Sequence, residues 1–137
     1  MENPSTPSEL DSGPTGSTKL VQLLQAMSIE GGFVFSVLTD RDGFPIAAAA
    51  GADQATDKQS AVVAFVQRTA AQVRNSLGMA EMNEVTFFDS EGRRLVCRPF
   101  EVNGQSMILA VLVPTRDGTY RRAMTRALTA IRQSLKN

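Results

Sequence analysis

The 137-residue chain has no histidine and no tryptophan, a single cysteine and a single tyrosine. Without histidine, the commonest general base and metal ligand at neutral pH is missing. Cys97 has no second cysteine to pair with and no histidine to share a zinc ion, so neither a disulfide framework nor a zinc site is expected. No apolar run approaches the roughly 20 residues that a membrane-spanning helix needs. The first residues hold no basic stretch followed by an apolar core, so no secretory leader is expected either. Together with the lone cysteine, this favours a reducing, cytoplasmic setting. Both common phosphate-binding devices, Gly-x-x-x-x-Gly-Lys-Ser/Thr and a post-strand Gly-x-Gly-x-x-Gly, are absent. The 14 basic and 14 acidic residues cancel, leaving no overall field to draw nucleic acid or an anionic membrane.

With 42% hydrophobic and 20% charged residues, the chain has the balance and length of one globular domain. Residues 1–17, rich in Pro, Ser, Thr and Gly, hold one large apolar residue, Leu10. Such a segment buries too little to offset its ordering entropy, and it is expected to be a disordered tail preceding a domain at 18–137. A helix begins near Thr18, shows Leu20, Leu23, Leu24 and Met27 on one face, and stops at Gly31-Gly32. Two β-prone runs, Phe33 to Thr39 and Phe44 to Ala49, make a hairpin, and Asp53 to Asp57 is a loop. A long helix spans Lys58 to Leu77 and ends at Gly78. Its core stripe is read as Val62, Phe65, Val66, Thr69, Val73 and Leu77. Val63 and Ala70 widen the apolar arc to about half the circumference, with the small Ala64 and Ala71 further round. So broad an arc needs two surfaces to cover it. Three strands follow, Met82 to Phe88, Arg94 to Pro99 and Gln105 to Val113, with turns at Ser90-Glu91-Gly92 and Val102-Asn103-Gly104. The last strand is apolar on both faces, as befits a central position, whereas the strand from Met82 reads as an unprotected edge. An amphipathic helix, Thr119 to Leu135, completes the order α-β-β-α-β-β-β-α.

The most chemical-looking stretch is TDRDGFPIA, Thr39 to Ala47. As part of a calcium loop with Gly43 at position six, it would place Leu38 at position one and Ala49 at position twelve, where oxygen ligands are required. As an acid/base pair, Asp40 and Asp42 would need a pocket to split their pKa values, yet they fall on a hairpin tip. The stretch is therefore read as a turn, with Pro45 suited to an edge strand. Cys97, within an alternating strand, reads as a small core residue. Arg93, Arg94 and Arg98, with the basic face of the last helix, form either a solvated face or an anionic contact. No aromatics are interleaved to stack bases, so no nucleic-acid partner is expected.

The element order and several local motifs resemble the roadblock/dynein-light-chain family across roughly residues 18–136. The likeness rests on VLTDRDGFPIAAA (Val37 to Ala49), the alanine-rich helix after it, VTFFDSEGRRLVCRPF (Val85 to Phe100), MILAVLVP and the terminal helix. The resemblance implies a three-layer α/β/α sandwich of the profilin/longin-like class. A five-stranded antiparallel sheet would carry the second helix on one face and the terminal helices on the other. It further implies a homodimer, or a heterodimer with a paralogous roadblock protein, in which second helices pair and third strands join edge to edge. The residues expected at that interface are Val63, Ala64, Gln67, Ala70, Ala71 and Arg74 on the helix, with Glu84, Val85, Thr86, Phe87 and Phe88 on the edge strand. Family members scaffold or regulate small Ras-like GTPases and bind no nucleotide themselves. Hence the expectation is a non-enzymatic regulator with no catalytic, cofactor-binding or metal-binding residues, no cofactor and no membrane insertion. Arg41, at the exposed tip, is the one candidate for an arginine finger. A small-molecule-sensing or signalling adaptor domain of the same fold is the alternative.

Overall fold

The computed structural model describes residues 16–50 and 56–136. Residues 1–15 of the expected tail and 53–55 of the expected loop lie outside the described residues. The observed elements are α1 (Gly16–Gly31), β1 (Phe35–Asp40), β2 (Pro45–Ala50), α2 (Thr56–Leu77), β3 (Val85–Phe88), β4 (Arg94–Val102), β5 (Gln105–Val113) and α3 (Arg121–Lys136). All eight expected elements form. The boundaries move most at β3, which is three residues shorter at its start, and at β4, which is three longer at its end. Both α1 and α2 end on a left-handed glycine. Gly32 and Gly78 have φ of 69°, and the Phe33 and Met79 amides reach back to the Ser28 and Arg74 carbonyls at 3.0 Å.

The sheet is antiparallel throughout, in the order β2-β1-β5-β4-β3. β5 lies at its centre, which accounts for an MILAVLV run apolar on both faces. α1 and α3 pack on one face, where Leu24, Met27, Met124, Leu128 and Ile131 meet Leu38, Val96, Leu109 and Val111. α2 lies on the other, over Val37, Cys97, Ile108 and Ala110. This is the expected three-layer sandwich.

α1 leads up to the end of the sheet where β1 begins, and α3 starts from the same end, where β5 stops. The two helices therefore run in opposite directions. Arg126 of α3 reaches Glu30 near the end of α1 at 3.2 Å, while Asn103 in the β4–β5 turn donates to the Leu135 carbonyl at 2.9 Å. The N-terminus of α1 consequently lies at the end of the molecule where α3 finishes.

Candidate interaction surface

The sides of α2 are assigned by depth. Gln59, Ser60, Val63, Ala64, Val66 and Ala70 are buried, with Val63 only 1% exposed. Val62, Phe65, Thr69, Val73 and Leu77 are exposed, Phe65 at 56% and Val73 at 37%. The expected stripe and the expected partner-facing set are thus largely exchanged. Val63, Ala64 and Ala70 pack within the protomer, and of the stripe read as core only Val66 is buried. The physical reason is close approach. The β1–β2 tip comes against α2 so tightly that a Cβ on Gly43 would stand 2.3 Å from that of Ala64. Only the side of α2 bearing small residues admits that contact. Gln67, Ala71 and Arg74 are half-buried beside it.

α2 packs mainly over β1 and β2 and reaches Cys97 of β4, leaving the rest of the β4–β3 half of the same sheet face half-buried or exposed. The floor of that half is apolar. Register pairs Val85 with Cys97 and Phe87 with Leu95, so Val85, Phe87 and Leu95 point to the α2 side, with Leu112 beside Leu95. Between this floor and the exposed flank of α2 runs a cleft of about 300 Å³, lined by Val66, Thr69, Val73, Met82, Val85 and Phe87. A second hollow of about 390 Å³ continues over Phe87, Leu95 and Leu112. Beyond it β3 ends the sheet, with Phe87 45% and Phe88 70% exposed. An apolar trough bounded by an unpaired strand edge is a surface that water covers poorly.

The other side of β3 is tied to the rest of the molecule. Tyr120 donates its phenol to the Glu84 carboxylate at 2.6 Å, and Thr86 donates to the same oxygen at 2.9 Å. Burial, then the Glu84 bond, pushes the Tyr120 phenol above its ordinary pKa. The Arg94 guanidinium lies between the Phe88 and Tyr120 rings, at 5.8 and 5.6 Å, and donates to the Thr115 carbonyl at 3.0 Å and to that of Gly118. Arg93 is held by Asp89 and Glu91, and Arg98 reaches the Thr125 hydroxyl at 3.2 Å. The three arginines of this hairpin are therefore engaged within the fold.

TDRDG is a turn. The Asp40 carboxylate accepts the amides of Asp42 and Phe44 at 2.9 and 3.0 Å, and Gly43 has φ of 91°. Arg41, exposed on the tip, borders a polar cleft of about 290 Å³ with Arg74, Glu81 and Glu101, where Arg74 pairs with Glu81. Among the described residues no group of His, Cys, Asp and Glu is arranged to hold a metal. Cys97 is buried, and burial pushes its thiol up to about 12. No helix among the described residues is long and apolar enough to cross a membrane.

Sequence reading missed the exposed flank of α2 and the floor residues Leu95 and Leu112. The only available signal was the width of the apolar arc, which announces two covered sides without saying which is which.

No protein-family model and no curated protein matches this sequence. Solved structures do resemble it. An MglB described as having a tetrameric arrangement superposes with a TM-score of 0.71 at 19% identity, over 89% of this chain and 91% of that one. The gliding protein MglB from Thermus thermophilus gives 0.68 at 19%, over 89% and 92%. A Roadblock/LC7 domain from Streptomyces avermitilis gives 0.71 at 16%, over 85% and 98%. At these identities the likeness is one of architecture, and with the element order, sheet order and layering above it establishes that this chain has the roadblock fold.

Proposed function

We propose that this protein is a dimeric regulator or scaffold of a small Ras-like GTPase, acting in the cytoplasm through protein–protein contact and supplying no catalytic residue of its own. The observation that carries the reading is the apolar trough that ends at the unpaired β3 edge. A second copy related by a twofold axis would lay its own α2 flank beside Val62, Thr69 and Val73 and extend the sheet through β3. One contact would thereby cover both the trough and the edge. The likeness to MglB structures, one of them in a tetrameric arrangement, supports an assembly of this kind. The link to a GTPase rests on the resemblance of the sequence to the roadblock family. The alternative, a small molecule held between sheet and helix, finds the layer directly beneath α2 filled by Val37, Val63, Val66, Cys97 and Ile108, and the cleft beside it bounded by the half-exposed Phe87.

The test has two arms. Sedimentation velocity should give a dimer for the native chain and a folded monomer for Val73→Glu; a native monomer at micromolar concentration would refute the assembly. GTP hydrolysis by a small GTPase encoded beside this gene should then change when the dimer is added. Failure of every such GTPase to bind would refute the regulatory role while leaving the dimer standing.

A further inference from the structure

The charge of this neutral chain is unevenly divided. All 14 basic residues lie beyond residue 15, with 11 of the 14 acids; residues 1–15 hold the other three, Glu2, Glu9 and Asp11, and no base. α3 carries Arg121, Arg122, Arg126, Arg132 and Lys136 without a single acid. All five are exposed. Glu30, at 3.2 Å from Arg126, makes the one ion pair with this face among the described residues. Arg121 and Arg132 lie over the Tyr120 and Phe100 rings at 5.1 and 5.5 Å, which fixes their stems and leaves the guanidinium edges free to donate.

The topology starts the described chain within reach of this face. Because α1 and α3 run in opposite directions, Gly16, where the described chain begins, lies at the end of the molecule where α3 finishes. Asp11 and Glu9 precede Gly16 by five and seven residues, a reach of about 17 to 25 Å when extended. The α3 axis measures about 24 Å in all. Arg132 and Arg126 are within that span, and a tether this short holds the acids at a high local concentration.

We propose that the arginine face of α3 is the docking site of the chain's own acidic segment, residues 1–15, with Glu9 and Asp11 facing Arg126 and Arg132. The contact is electrostatic and screens the basic face from other anions. It uses the side of the sheet opposite the trough, so it does not depend on the dimer.

A nitroxide attached to Ser8→Cys in the full chain tests it; Cys97, 2% exposed, remains unlabelled in the folded protein. At about 0.01 M ionic strength, where the Debye length is about 30 Å, the amide signals of Arg121–Lys136 should lose intensity selectively. The loss should disappear at about 1 M salt, where that length is about 3 Å. It should also disappear in Glu9→Gln/Asp11→Asn at low salt. Broadening spread evenly over the surface, broadening centred on Val73 and Phe87, or α3 broadening indifferent to salt would each overturn the proposal.

Discussion

At the scale of single residues, the two acidic turns are one device used twice. Asp89 repeats the role of Asp40: its Oδ1 accepts the amides of Glu91 and Arg93 at 2.9 Å each, and Gly92 supplies φ of 86° three residues on. This was legible in DRDG and DSEG, because an aspartate that caps its own turn and a glycine at positive φ are local chemistry. Desolvation works against the Asp89 carboxylate, but the amide and guanidinium of Arg93 and the amide of Glu91 outweigh it and hold its pKa below the ordinary value. A depressed carboxylate contributes stability above its unfolded pKa and loses it as pH falls through the folded one. The stability advantage of the native chain over Asp89→Asn should therefore shrink between about pH 5 and about pH 2; an advantage that is flat over that range would contradict the assignment. The tip of the first hairpin makes a sharper demand. Gly43→Ala would force a Cβ into Ala64 at positive φ, and urea unfolding should show a loss of about 2 kcal/mol or more.

At the scale of elements, the two ends of the molecule differed in legibility. Asn103 and Gly104, with φ of 55° and 78°, make the two-residue turn that Asn-Gly announces, and β4 and β5 pair through it to Val102–Gln105. α3 was equally plain, since its apolar face is narrow and the rest is polar. α2 was not. Val62, Phe65, Thr69 and Val73 recur at the same three- and four-residue spacing as Val63, Val66 and Ala70, and periodicity cannot choose between two valid stripes. The choice is made by a distant contact, the β1–β2 tip resting on Ala64, which no local window contains. The assignment predicts opposite outcomes for two valines of the same helix. Val63→Glu buries an unpaired charge and should lower protomer stability by more than about 3 kcal/mol, with loss of the folded circular-dichroism signal on mild heating. Val73→Glu should cost the protomer about 1 kcal/mol or less while abolishing association. Equal damage from both substitutions would place the two valines on one surface and undo the division of α2.

For the whole molecule, the layering followed from element order and from the apolar character of β5, whereas the unfinished half of the α2 face did not. Which strands a helix covers depends on its lateral position over the sheet, a property of the assembled layers. An unfinished face makes stability a function of concentration. If a second copy covers the trough, dilution should lower the melting temperature of the native chain and leave that of Val73→Glu unchanged. Coincident melting curves over a hundredfold dilution would show that the protomer is thermodynamically complete by itself.

The link between Tyr120 and Glu84 has one more consequence, an optical one. Tyr120 is the only tyrosine in a chain without tryptophan, so emission excited beyond the phenylalanine absorption band comes from one phenol. That phenol is bonded to the residue preceding β3 and flanked by Arg94, whose other face meets the exposed Phe88. Anything that pairs with the edge and moves Phe88 or Glu84 alters the quenching of a single, native chromophore. The protein thus carries an unlabelled reporter beside the strand on which its assembly is proposed to turn, and a fluorescence titration of the unmodified chain suffices to watch that strand find a partner.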